Sequence, residues 1–281
     1  MNYQQLINKS VAILKDNKNK TPLLDCEVIL SKVLNISREN LLLNLNETIS
    51  EKNKQKFNYS LEQRKQNKPI AYIVGQKEFW NTNFVVNESV LIPRPDTEIL
   101  VEEALNALKT GKKYHILDIG TGSGCILISI LKERKKCVGT GIDISKKATN
   151  IAKTNAKIQH LANRIKFIKS DIDNFFASKY DLIVSNPPYI SRFTLNTLDE
   201  DVKGYEPLLA LDGGPDGLSK IEKVIKRSSK LIKTNGKLIL EIGFNQLYNV
   251  SKIIMKNGFY IKKITKDLSG KNRCITSVKI S

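Results

Sequence analysis

Residues 114–134 read YHILDIGTGSGCILISILKER. Three glycines at alternate positions, Gly120, Gly122 and Gly124, separate two apolar runs. The run before them, HILDI, has the length and branched content of a strand. The run after them, CILISILKER, is longer and is expected to be a helix. Strand, glycine turn and helix in that order form half of a parallel βαβ unit. Glycine lets a backbone turn tightly and approach a ligand closely. The helix that follows presents unpaired N–H groups above the loop.

The alternation continues toward the C-terminus. CVGTGIDI is a strand, SKKATNIAKTNAKIQ a helix, and IKFIKSD and YDLIVSN are strands. LSKIEKVIKRSSKLIKTNG is a helix, KLILEIG a strand and FNQLYNVSKIIMKNG a helix. FYIKKITKD and RCITSVKI close the chain as an antiparallel pair, because their connection is short. The expectation is an α/β fold over residues 94–281: a Rossmann-like, seven-stranded, mostly parallel sheet with helices on both faces.

Residues 1–66 carry helical periods instead. LINKSVAILKD and LLDCEVILSKVL space apolar residues at three and four. Ser37 and Ser50 are candidate N-caps of two further helices. A small helical bundle is expected there. PIAYIVGQKEFWNTNFVVNESVLIP is rich in β-branched and aromatic residues and is read as a linking β-hairpin over 67–93. In RPDTEILVEEALNALKTG, Asp96 or Thr97 is expected to cap a helix that Gly111 ends. Trp80 is read as a core or interdomain anchor.

Composition sets limits. Of 281 residues, 41% are hydrophobic and 26% charged, as in soluble globular proteins. No apolar run approaches the ~18 residues of a membrane span, and the N-terminus lacks the pattern of a secretory leader. A cytoplasmic protein without a membrane partner is expected. The four cysteines are scattered without a CxxC pair, so neither a disulfide framework nor a metal site is expected. The net charge is +18. It reads either as attraction to nucleic acid or as compositional drift. The lysines run through nearly the whole chain rather than along one stripe, which favours drift and no stable nucleic-acid partner.

Asp118 stands two residues before the first glycine, giving the register DxGxGxG. Asp143 ends the next strand, where an acid accepts hydrogen bonds from ribose hydroxyls. A nucleoside cofactor is implied. An acid at 118 would repel a pyrophosphate but suits an ammonium group. The loop, with Thr121 and Ser123 between its glycines, resembles the S-adenosyl-L-methionine loop of class I methyltransferases. Asp171 ends the third strand, near the adenine in such folds, and is also a candidate helix cap.

Asn186, Pro187, Pro188 and Tyr189 end the fourth strand, and ligands of open α/β sheets lie beyond those strand ends. An amide or exocyclic nitrogen has a delocalised lone pair. Two acceptors that bind both its hydrogens hold it in line with a methyl group and stabilise the charge that develops. The Asn186 side-chain oxygen is one acceptor and the Pro187 carbonyl the second. Tyr189 can pack on a planar amide or base. No strong general base is required.

EFWNTNFVVNESVLIPRPDTEILVE, ILDIGTGSGCILIS, GIDIS, DLIVSNPPYI and EPLLALDGGPDGL together resemble the HemK/PrmC family. Its members are protein-(glutamine-N5) methyltransferases of class I peptide chain release factors. The resemblance runs from about Pro69 to Glu241. It implies methylation of the glutamine in a Gly-Gly-Gln motif, in support of translation termination, with S-adenosyl-L-homocysteine as product. It assigns Gly120 to Gly124 and Asp143 to the cofactor and Asn186 to Tyr189 to the substrate amide, with Asn186 also at the cofactor. Ile92 to Thr97, including Arg94, Pro95 and Thr97, match a segment closing over the site. Ile172 stands where the family can place an aromatic near the adenine, so its contact would be apolar. Residues 1–66 would dock the release factor.

Two other enzymes share the acceptor chemistry. A DNA or RNA amino-methyltransferase acting on adenine N6 needs a target-recognition insertion and a basic groove, and neither is legible. A ribosomal-protein glutamine methyltransferase is a closer relation that the motifs do not exclude.

Overall fold

The computed structural model describes residues 1–177 and 179–280. Ser178 and Ser281, both inside the expected α/β domain, lie outside the described residues. The described chain forms two compact units.

The first unit comprises Met1–Gln76 and Asp199–Tyr205. Its helices are α1 (Tyr3–Asp16), α2 (Pro22–Leu34), α3 (Arg38–Leu43), α4 (Glu51–Lys65) and α5 (Ile70–Val74). Asn2 and Gln5 form a reciprocal capping box at α1. Ser37 and Ser50 accept hydrogen bonds from Asn40 N and Asn53 N, as their sequence positions suggest. Leu14, Leu30, Leu41 and Phe57 are fully buried in the bundle core. One ion pair is buried with them: Arg64 Nε donates to Asp25 Oδ2 at 2.6 Å.

The α5 segment corrects the sequence reading. PIAYIV has strand composition, yet Ile70–Val74 is helical. Pro69 sets the entry and Gly75, at φ 74°, the left-handed exit. Ile70 and Ile73, three residues apart, pack against the bundle core. Burial on a helical period outweighs β-propensity, which is a weak preference. The hairpin itself is shorter than the expected 67–93 stretch: β1 is Gln76–Phe79 and β2 is Thr82–Val85. Its turn residues, Trp80 (φ 49°) and Asn81 (φ 51°), are both left-handed, the geometry that matches strand twist in two-residue hairpins. Trp80 thus occupies a turn, with its ring partly buried.

The second unit takes the remaining described residues. A single turn, Pro95–Thr97, leads into α6 (Glu98–Ala107), β3 (His115–Ile119), α7 (Cys125–Glu133) and β4 (Val138–Asp143). Then come α8 (Lys146–Ile158), β5 (Ile165–Lys169), β6 (Tyr180–Ser185) and α9 (Arg192–Leu195). The α10 helix (Glu200–Tyr205) belongs to the first unit, where Tyr205 OH donates to Gln66 O at 2.8 Å and Lys20 pairs with Asp199. The chain closes with α11 (Ser219–Leu231), β7 (Ile232–Glu241), α12 (Leu247–Lys256), β8 (Phe259–Lys266) and β9 (Asn272–Lys279).

The seven-stranded sheet has the order β5-β4-β3-β6-β7-β9-β8. All neighbours are parallel except β9, which is antiparallel to β7 and β8. Both faces are buried. Ile116, Leu182, Val184 and Ile239 enter one core, and Leu117, Ile119, Ile183, Leu238 and Leu240 the other. Strict alternation along each strand explains the split. β7 starts at Ile232, inside the stretch expected to be helix. Asn235 at φ 63° and the register shift opposite Tyr180 and Leu182 mark the irregular start. The order reverses between β3 and β6, and their carboxyl ends define the crevice where ligands bind such sheets. Among the described residues no helix is long and apolar enough to cross a membrane. All four cysteines are buried and free.

Candidate active site

A pocket of about 410 Å³ opens at that crevice. Gly120, Gly122, Asp143, Asp171 and Ile172 line it on one side. Asn186, Pro187 and Pro188 line it as well, although more than 60 residues of chain separate them from the loop. Thr121, Ser123, Gly124 and Asp118 are not in the pocket wall, and Thr121, Ser123 and Asp118 are buried.

The loop is tied down from three sides. Gly120 N and Thr121 N both donate to Ile142 O. Gly122 N donates to Asp143 Oδ2 and Ser145 N to Asp143 Oδ1, each at 2.9 Å. Asn155, buried on α8, donates to Ser123 O and to Val85 O, and accepts from Val85 N. The sequence reading did not identify Asn155; a polar residue on the apolar face of an amphipathic helix is its only signal. Gly124 needs both its left-handed φ of 81° and its missing side chain, since a Cβ would lie 3.0 Å from Ile128 and 3.1 Å from Phe167.

Asp118 is fully buried. Its Oδ2 accepts from Thr121 Oγ1 at 2.6 Å, while Oδ1 has no partner among the described residues. Burial pushes its pKa up to about 7, against the Thr121 hydrogen bond and with a further push from the Asp143 charge. Burial also raises Asp143, opposed by the Ser145 and Gly122 amides. A buried carboxylate oxygen without a donor fits a cationic amine and opposes a phosphate. The residues present therefore suit an amino-acid end beneath a nucleoside. Asp171 caps the turn that follows it, accepting from Asp173 N at 3.0 Å, and lines the pocket at the same time.

Of the two expected caps, Asp96 and Thr97, it is Thr97 that occupies the N-cap position of α6, but its side chain makes no capping bond. It points instead to the end of the sheet. Asn186 Nδ2 donates to Thr97 Oγ1 at 3.1 Å, and Thr97 Oγ1 donates to Glu241 Oε2 at 2.7 Å. Tyr189 OH donates to Glu241 Oε1 at 3.1 Å. Tyr189 is not among the pocket-lining residues. Burial beside Glu241 pushes its hydroxyl well above the usual range. Glu241 is 2% exposed. Burial pushes its pKa to about 7, opposed by the Thr97 and Tyr189 hydrogen bonds and by Arg273, and reinforced by Asp96. An acid inside the apolar strand run LILEIG was the sequence signal for this residue. No hydrogen bond from a described residue reaches Asn186 Oδ1 or the Pro187 carbonyl.

Arg94 and Glu206 form a charge-assisted hydrogen bond, and Glu206 Oε2 also accepts from Ile92 N at 3.2 Å. One buried carboxylate thus holds Ile92 and Arg94 together, and Pro95 follows in the turn leading to Thr97. Among the described residues no cluster of three or more His, Cys, Asp or Glu side chains could hold a metal.

Two family models match the chain: the PrmC N-terminal domain over residues 5–75 and the methyltransferase small domain over residues 95–200. A release factor glutamine methyltransferase of Fusobacterium nucleatum is 43% identical over 279 residues, covering 98% of this chain and 78% of that protein. One from Clostridium botulinum is 38% identical, covering 98% of this chain and 99% of that protein. Among solved structures, a methyltransferase from Pyrococcus furiosus aligns with a TM-score of 0.53 and 16% identity, covering 70% of this chain and 89% of that one. That likeness extends to the fold of the sheet domain. The identities, sustained over nearly the whole length, go further: the chain belongs to the release factor glutamine methyltransferase family.

Proposed function

We propose that this protein transfers a methyl group from S-adenosyl-L-methionine to the side-chain nitrogen of the glutamine in the Gly-Gly-Gln motif of class I peptide chain release factors. The observation that carries this reading is the state of Asn186. Its Nδ2 donates to Thr97, no described residue donates to its Oδ1, and Asn186 and Pro187 both line the pocket. The Asn186 Oδ1 and the Pro187 carbonyl would supply two acceptors for the two hydrogens of a primary amide. They orient the nitrogen and stabilise it as it becomes tetrahedral and cationic. The bound cofactor supplies an electrophilic methyl group and leaves as S-adenosyl-L-homocysteine. The methylated nitrogen then loses its extra proton to water.

The buried Asp118, whose Oδ1 has no partner among the described residues, would favour the cofactor's ammonium near the loop, and the ribose hydroxyls would lie beside Asp143, whose oxygens each retain a lone pair. Asp171 and Ile172, which line the pocket, would hold the adenine. Arg94, Pro95 and Thr97 form the segment that closes the site. The reaction belongs in the cytoplasm, where release factors act. Methyl transfer from labelled cofactor tests this reading. The substrates are a release factor, its Gln→Ala variant at Gly-Gly-Gln, and duplex DNA. Label lost with the Gln→Ala change is expected; label in DNA alone would replace the reading with a base-amine methyltransferase.

A pH dependence follows from Asp118. An ammonium favours the charged carboxylate, and the free protein binds a proton there below about 7. Cofactor affinity is therefore expected to fall by about tenfold per pH unit below that value. The stability of the free protein runs the other way. An unfolded aspartate titrates at about 3.9, so the folded form holds the extra proton between about 4 and about 7, and stability declines as pH rises through that interval. Calorimetric titration on both sides of pH 7 checks the first effect; an affinity independent of pH would remove Asp118 from the ammonium site.

The helical unit is the proposed docking surface, since three residues of a loop offer little area. Leu43 is 82% exposed there, with Leu23, Leu24 and Leu42 also exposed. Leu43→Glu is expected to raise KM for intact release factor about tenfold, the effect of losing one interface anchor. Its kcat should hold. An unchanged KM would move the docking surface elsewhere.

A further inference from the structure

We propose that Glu241 is a positioning residue that sets which end of the Asn186 amide faces the substrate, acting through the hydroxyl of Thr97. The inference rests on the reading of Asn186 as a substrate acceptor. Glu241 ends β7 and is buried beside the end of β6. An ionised carboxylate only accepts hydrogen bonds, and a hydroxyl has one hydrogen. Thr97, 2.7 Å from Glu241 Oε2, gives its hydrogen to that oxygen. It then presents only lone pairs to Asn186, 3.1 Å away. The NH₂ end of the Asn186 amide meets them, and Oδ1 turns toward the pocket.

The two ends of an amide have nearly the same shape, so packing cannot choose between them. Donor–acceptor polarity can. Without a fixed acceptor at 241, the Thr97 hydroxyl is free to donate to Oδ1. The amide could then turn over, and its NH₂ group would face the NH₂ group of a glutamine. Two donors make no hydrogen bond. The same carboxylate accepts from Tyr189 OH through its other oxygen, so Glu241 anchors both ends of the Asn-Pro-Pro-Tyr stretch.

The charged and titratable groups around Glu241 come from three elements. Asp96 lies on the turn before α6, Arg273 on β9 and Tyr189 after β6. Arg273 pairs with Asp96 at 3.4 Å and with Asp267 at 3.0 Å while favouring a charged Glu241. Cys274 is the β9 register partner of Glu241, and its thiol is held protonated by burial. The carboxylate form, and with it the relay polarity, prevails above about pH 7.

The test uses the full chain above that pH, with saturating cofactor and labelled asparagine side chains. The Asn186 side-chain resonance is identified by its loss in Asn186→Ala. Thr97→Val is expected to speed exchange of the Asn186 Nδ2 hydrogens with water. It should also lower kcat on release factor by about 10- to 100-fold, the cost of a misplaced reacting group. Cofactor Kd should stay within about twofold, because Thr97 is not a cofactor contact in this reading. Thr97→Ser keeps the hydroxyl and should restore both exchange and turnover to within about threefold of wild type. Glu241→Gln places an NH₂ donor within reach of Thr97 and should lower kcat comparably. The double variant Thr97→Val/Glu241→Gln should lose less than the product of the two single losses, since the Thr97 hydroxyl is common to both and only the Tyr189 bond belongs to Glu241 alone. Wild-type kcat and slow exchange in Thr97→Val, or additive losses in the double variant, would overturn the relay. If wild type itself fails to label the release factor, the proposed substrate is wrong, and the exchange measurement still decides whether Thr97 and Glu241 hold the amide.

Discussion

Asn186→Ala is expected to lower kcat by about 10²-fold or more, the scale of losing one preorganised charge-stabilising group. Cofactor affinity should change little, because the loop and its acids do not depend on this side chain. Gly120, Thr121 and Gly122 are held by Ile142 O and Asp143. Asp118 is held by Thr121. Asn186 bonds to Thr97 and otherwise faces the pocket. The alanine variant removes an acceptor that matters most when the substrate nitrogen carries positive charge, so kcat should suffer more than KM. Single-turnover methylation with pre-bound cofactor measures the effect directly. Turnover at the wild-type rate would mean that the Pro187 carbonyl and the cofactor alone orient the nitrogen, and the two-acceptor mechanism would have to be abandoned.

The second large effect concerns stability of the helical unit. Arg64→Met keeps the length of the side chain and removes its charge. Asp25, with 4% of its side chain exposed, then keeps only the Thr21 hydroxyl at 3.0 Å. Leaving one member of a buried pair uncompensated costs about 3–5 kcal/mol. The Lys68 carbonyl also loses the Arg64 Nη1 donor at 3.1 Å. Replacing both partners, Asp25→Leu with Arg64→Met, should recover most of the loss, because no charge is then stranded. Hydrogen exchange in α2 and α4 is the appropriate readout, since a chain of two units need not unfold in one step. A loss near ~0.5 kcal/mol, the range of exposed pairs, would show that water reaches Asp25 freely.

Much of the sheet domain is legible in the sequence because its signals are local and agree with one another. The strand before DxGxGxG, the acids at 118, 143 and 171, and the prolines after 186 each mark the carboxyl end of a strand. In a parallel sheet those ends lie on one edge, so the motifs converge without further information. Ser37 and Ser50 are read correctly as caps for the same reason: a cap is decided within four residues.

Other features required the folded chain. PIAYIV has strand composition, and only the bundle core beneath Ile70 and Ile73 makes it a helix. Asp199–Tyr205 joins the N-terminal helices across more than 120 residues of sequence, which no window along the chain reveals. Asp96 or Thr97 is the expected cap; Thr97 holds that position, but its hydroxyl bridges Asn186 and Glu241, residues that stand 89 and 144 positions away. Local periodicity, turn chemistry and motif spacing by themselves determined the class of fold and the strand-end edge on which the proposed cofactor and acceptor residues fall. The tertiary structure decided which way each polar group points. A hydrogen bond's direction depends on the partner that burial brings to it, and that partner is seldom near in sequence.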